Sequence, residues 1–182
     1  LHTNSIWSVA WSPNGARLAL GSADDTASIV DGRTGERELH LQGLYAHSIW
    51  SVAWSPDGAR LALGSADKTV SIVDGRTGKR ELHLQGLHRH SILSVAWSPD
   101  GARLALGSGD KTVSIVDGRT GKRELHLQGL HTDSIRGVAW SPDGARLALG
   151  SGDKTVSIVD GRTGKRELHL QGLHTDSIWS VV

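Results

Sequence analysis

Val95–Asp117 reads VAWSPDGARLALGSGDKTVSIVD. A turn with proline and glycine separates short runs that alternate small, branched and polar residues, which is the pattern of strands rather than helices. Upstream, SILSVAWS (Ser91–Ser98) sets Ile92, Ser94 and Ala96 against Leu93, Val95 and Trp97 and is expected to be a first strand. ARLALGSG (Ala102–Gly109) is a second, and KTVSIVD (Lys111–Asp117), rich in β-branched residues, a third. After GRTG, RELHLQG (Arg123–Gly129) alternates Leu125 and Leu127 with polar neighbours and is a fourth. No segment carries a useful helical period. Four hairpin-linked strands make one antiparallel meander. Such a sheet cannot bury both faces alone, so neighbouring sheets must stack.

The stretch is one copy of a repeat. Trp11, Trp54, Trp97 and Trp140 recur every 43 residues, and Val95–His131 is identical to Val138–His174. The units are expected to be 1–43, 44–86, 87–129 and 130–172, with 173–182 opening a fifth. That last piece, LHTDSIWSVV, matches LHTNSIWSVA at the start of the chain in eight of ten positions.

Composition narrows the function. Twenty basic residues face nineteen acidic ones in 182, so no strong field draws the chain to nucleic acid or an anionic membrane. No apolar run approaches the length that crosses a bilayer. Cysteine is absent, which removes disulfide and thiolate chemistry and fits a reducing, cytoplasmic setting.

The ordered elements GLH, SVAWSPDG and LALGSGDKTVSIVD resemble the WD-repeat β-propeller family over essentially the whole chain. The resemblance implies an all-β fold of blades around a channel, with the first strand of each blade innermost. The family's name-giving Trp is Val30, Val73, Val116 and Val159 here, each followed by Asp. The family's hydrogen-bonded set then reduces to His2, Ser22 and Asp24; His88, Ser108 and Asp110; and His131, Ser151 and Asp153. Tyr45 stands where the second unit's His should be. Ser, His and Asp together invite a hydrolase reading. Repetition in three units and the lack of a GxSxG elbow favour a structural triad, in which Asp accepts from His and Ser.

Other chemistry is weaker. His83, His126 and His169 fall on separate fourth strands, too dispersed for a metal site, and the HRH of His88–His90 would bind metal only adventitiously. GSGDKT lacks the GKT or GKS ending and the helix of a phosphate loop. No catalytic residue, metal or cofactor is expected.

The differences between copies cluster at one end of each meander. The entry into the first strand varies, and so does the turn between second and third strands, which carries Asp25, Lys68, Lys111 or Lys154. In the family's geometry, the residue two before the recurring Val points to the channel mouth; here it is Trp7, Trp50, Leu93, Arg136 or Trp179. A rim of exposed Trp and Arg has the composition of an interaction hot spot. A non-catalytic scaffold for protein recognition is expected. An engineered or excised propeller fragment would show the same uniform copies. Four blades leave two apolar faces open, so the expected partner is a second copy completing an eight-bladed ring. The surplus strand would then be swapped between chains, disordered or displaced.

Overall fold

The structure, a computed structural model, describes residues 2–181; Leu1 and Val182 lie outside the described residues. The first blade comprises β1 (Ile6–Trp11), β2 (Arg17–Ser22), β3 (Ala27–Asp31) and β4 (Arg37–Leu41). The second comprises β5 (Ile49–Trp54), β6 (Arg60–Ser65), β7 (Val70–Asp74) and β8 (Arg80–Leu84). The third comprises β9 (Ile92–Trp97), β10 (Arg103–Ser108), β11 (Val113–Asp117) and β12 (Arg123–Leu127). The fourth comprises β13 (Ile135–Trp140), β14 (Arg146–Ser151), β15 (Val156–Asp160) and β16 (Arg166–Leu170). Each is an antiparallel meander in sequence order, and no helix occurs among the described residues. Within a blade the expected strands form, with their ends trimmed.

One expectation about side-chain direction is overturned. Simple alternation puts Leu93 on the face of Val95 and Trp97. Instead, each first strand carries a bulge: Ile92 pairs with Ser108 and Ser94 with Gly107, leaving Leu93 as the extra residue. Trp7, Trp50 and Arg136 are the extra residues in the other three blades. The bulge shifts the phase, so Ile92, Val95 and Trp97 share one face and are all buried against the preceding blade. Ser94 and Ala96 turn to the following blade, where the Ser94 hydroxyl accepts the Val138 amide at 3.1 Å.

The core is therefore three slabs, one at each seam between blades. The seam is the same each time. Gly64 of β6 lets the next blade come close: a Cβ there would meet Ile92 Cγ2 at 2.9 Å and Val95 Cγ1 at 3.0 Å. The Trp97 indole N–H donates to Ala53 O at 3.1 Å. The Arg60 guanidinium lies over that indole, 4.7 Å from its centroid, and donates to Gly118 O at 2.5 Å. Trp54 with Arg17, and Trp140 with Arg103, repeat the arrangement.

The four blades form an open arc. Successive inner strands pack on one another, β1 on β5, β5 on β9 and β9 on β13. The outward face of β1 meets no blade: Ile6, Val9 and Trp11 are 42%, 61% and 57% exposed. At the other end the tail lies on the fourth blade of its own chain. Ile178 and Val181 approach Gly150 as Ile92 and Val95 approach Gly64, and the Ile178 amide donates to Ser151 O at 3.0 Å.

Candidate functional site

The bulge decides where the variable residues go. An extra, unpaired residue re-aims its side chain, and here it sends Trp7, Trp50, Leu93 and Arg136 to the channel mouth. With Trp179 from the tail they line one open cavity of about 320 Å³. Trp7 stacks on Trp50 with centroids 4.5 Å apart, and Arg136 covers Trp179 at 4.0 Å. Not all the indoles are exposed, as the sequence suggested. Trp7 and Trp179 are, but Trp50 is half-buried and its indole N–H is buried without a partner. The stack explains this: Trp7 takes the outer position and shields its neighbour.

The turns carrying Asp25, Lys68, Lys111 and Lys154 lie at the same end, beside the entries to the first strands. The Gly109 amide, for example, donates to Ser91 O at 3.0 Å. All four residues sit at positive φ, from 66° to 74°. This left-handed region costs an ordinary L-residue about 1–2 kcal/mol, and Asp tolerates it better than Lys. Lys111→Gly is expected to raise stability by about 0.5–1 kcal/mol in chemical denaturation. Asp25→Gly should gain less; an equal or larger gain at Asp25 would refute the explanation.

The triad residues gather behind these turns, with one change of roles. The Ser108 hydroxyl does not feed the carboxylate: it donates to Ser91 O at 3.0 Å and accepts the Asp110 amide at 3.2 Å. Ser22 and Ser151 likewise donate to backbone carbonyls. The second hydroxyl on the carboxylate is a threonine that sequence reasoning missed. Thr112 Oγ1 donates to Asp110 at 2.5 Å, and Thr26, Thr69 and Thr155 do the same for Asp24, Asp67 and Asp153. Asp110 also takes His88 Nδ1 at 3.2 Å and the Arg89 amide at 2.8 Å, tying the entry loop to the turn. Asp24 with His2 and Asp153 with His131 match it.

Burial opposes the charge on Asp110, but bonds from Thr112, the Arg89 amide and the adjoining His88 outweigh it and hold the carboxyl at about 2. Asp153 is held at about 2 for the same reasons, while Asp24 and Asp67 are also lowered. Burial pushes His88 and His131 down, against the pull of their aspartates. A neutral ring fits the geometry: Nδ1–H serves the carboxylate, whereas Nε2 is buried without a partner and would strand a proton there. Ser108 is fully buried and is not hydrogen-bonded to His88, so the set is not arranged as nucleophile and base.

In the second blade, Tyr45 brings a buried hydroxyl with no well-formed partner, and burial raises its pKa. Asp67 keeps Thr69 and the Ala46 amide but has no imidazole. Asp110→Ala, which strands three kinds of donor, is expected to cost about 1–3 kcal/mol. Asp67→Ala, with one donor fewer, should cost less by the same thermal or urea melts; the reverse order would refute the ranking. The fourth-strand histidines His40, His83, His126 and His169 each meet a serine of the third strand instead, at 3.2–3.4 Å.

The WD domain, G-beta repeat family matches residues 1–31, 39–74, 81–117 and 123–160, together more than half of the chain. The chain belongs to this family of β-propeller repeats, whose members generally serve as non-catalytic scaffolds for interactions. The last three matches each begin on or within the outermost strand of one blade and end with the third strand of the next, so the family's repeat straddles the seam. Among curated proteins, none matches the chain.

Proposed function

We propose that the chain is a non-catalytic recognition scaffold that binds a protein partner at the channel mouth. The carrying observation is that the bulged residues, which are among the few positions that vary between otherwise uniform copies, converge on one cavity. Stacked indoles and a guanidinium supply large, stiff contact area, as hot spots do. Peptides selected from a displayed library on the chain are expected to lose binding on Trp7→Ala and Arg136→Glu. They should keep it on Lys79→Ala, in an exposed turn at the opposite end. Binders indifferent to the first two changes would sink this reading.

The scaffold works as a ring completed by a second copy. The open faces at the two ends are the two halves of a seam that the chain makes three times internally. Ile6, Val9 and Trp11 supply one half; Ala139, Trp140 and Arg146, beside the stretch of the fourth blade that the tail covers, supply the other. Light scattering at micromolar concentration should give twice the 19.4 kDa chain mass. A persistent monomer rules the shared ring out.

A further inference from the structure

The cavity at the channel mouth is lined by Trp7, Trp50, Leu93, Arg136 and Trp179. Indole and guanidinium groups donate hydrogen bonds, and leucine neither donates nor accepts. The lining side chains therefore offer donors and apolar surface but no acceptor. Two of these donors are unused within the protein: the Trp50 indole N–H and the Arg136 Nε–H are both buried without a partner. Such groups cost free energy until something accepts from them.

Arg136 also stands apart from the chain's other arginines. Arg17, Arg60 and Arg103 are half-buried too, but each donates to a glycine carbonyl across a seam. Arg80, Arg123 and Arg166 donate to leucine carbonyls. Among the described residues, Arg136 is the one half-buried guanidinium with neither a hydrogen bond nor an ion pair, and it rests on the Trp179 ring at 4.0 Å. Asp133 Oδ2 and Arg136 Nε both lie within 3.0 Å of where a Cβ on Gly152 would sit, yet that carboxylate takes the Ser134 amide at 2.6 Å and forms no ion pair with the arginine. The fold does not ask for a charge here, since the other copies carry Trp7, Trp50, Leu93 and Trp179 at this position.

We propose that the mouth recognises a carboxylate of the protein partner, forked onto the free nitrogens of Arg136, with the partner's adjoining apolar group against the exposed rings of Trp7 and Trp179. This rests on the recognition reading above and names the chemistry recognised. An aromatic rim alone would suit an ammonium group. Here a guanidinium already covers Trp179, and no carboxylate lines the cavity to balance a second cation. A phosphoryl group carries nearly two charges and is met by clusters of arginines, whereas the lining holds one. A single guanidinium matches a single carboxylate in charge and in its two-pronged geometry.

The test uses peptides selected on the full chain from the displayed library. Each is synthesised as selected, with every acidic side chain changed to its amide, and with its C-terminus free or amidated. All are titrated against the native chain, Trp7→Ala, Arg136→Leu and Arg136→Lys. Arg136→Leu copies Leu93, so the fold is kept. Loss of the anchoring carboxylate is expected to weaken binding about ten- to hundred-fold on the native chain and to change nothing on Arg136→Leu. Arg136→Lys keeps the charge without the fork and should fall between. Sensitivity to side-chain amidation assigns the carboxylate to Asp or Glu, and sensitivity to C-terminal amidation assigns it to a chain end; both support the proposal. A carboxylate whose loss costs as much on Arg136→Leu as on the native chain overturns it. Peptides that need Trp7 but no carboxylate overturn it and leave the mouth reading standing, and a lysine anchor does so in favour of a cation site. Peptides indifferent to both Trp7→Ala and Arg136→Leu, or a selection that yields no binder, overturn both readings.

Discussion

Trp97→Ala is expected to lose about 3–5 kcal/mol of stability, while Trp11→Ala, the same residue of the repeat, loses no more than about 0.5 kcal/mol in dilute solution. Trp97 is 8% exposed and Trp11 57%. Removing Trp97 opens a void between the second and third blades, leaves Ala53 O without its indole donor and leaves Arg60 with nothing to stack on. Gly118 adds to the loss, because its Cα lies flat against the indole: a Cβ there would meet Trp97 Cζ3 at 2.5 Å. Each blade packs only on its neighbours, so a void at this seam weakens the coupling between the two halves of the arc, which should also begin to unfold separately. Urea titrations followed by circular dichroism should show a broadened or split transition for Trp97→Ala and an unchanged one for Trp11→Ala. Equal losses at the two positions would mean that the arc closes on itself and that the seam at Trp11 is already occupied.

That contrast marks where the sequence stops being informative. The 43-residue period, the four strands per unit and the mouth positions were legible, because each depends on residues within one unit or on its copies. The seam was not. Arg60 reaches a tryptophan in the next unit, and no pattern within a unit shows that pairing. The bulge at Leu93 was hidden for a different reason: a run that alternates cleanly on paper conceals one unpaired residue, and the phase error moves Ile92 from one face to the other. The threonine on each aspartate was missed because serine lies on the near side of the turn and looks equivalent. Only the backbone shows that Ser108 spends its proton on a carbonyl while Thr112 faces the carboxylate. Trp11 and Trp97 are the same letter in the same context, so no local reading could separate the exposed one from the buried one.

Acid is expected to unfold the chain in two stages, both in the same direction. Burial lowers the pKa of His88 and His131, so the folded state binds the proton less readily than the unfolded one. Their contribution is complete above the unfolded value of about 6.5 and is lost as pH falls below it. Asp110 and Asp153, held at about 2, likewise stabilise the fold fully above the unfolded carboxyl value of about 3.9. That contribution drains away as pH drops toward 2. Both carboxylates are partly open to water, which reduces the effect to about 1 kcal/mol each. The imidazoles add to this loss in the same direction. The turn aspartates Asp57, Asp100 and Asp143, each capped by a serine hydroxyl and an amide, are lowered too and steepen the second stage. Urea midpoints measured from pH 8 to pH 2.5 should stay level down to about 6.5, sag, and then fall faster below about 4. In Asp110→Asn with Asp153→Asn the protein should be weaker at neutral pH and the final fall shallower, because two of the groups that titrate there are gone. A double variant whose curve runs parallel to the native one below pH 4 would show that the carboxylates behind the turns do not carry the acid response.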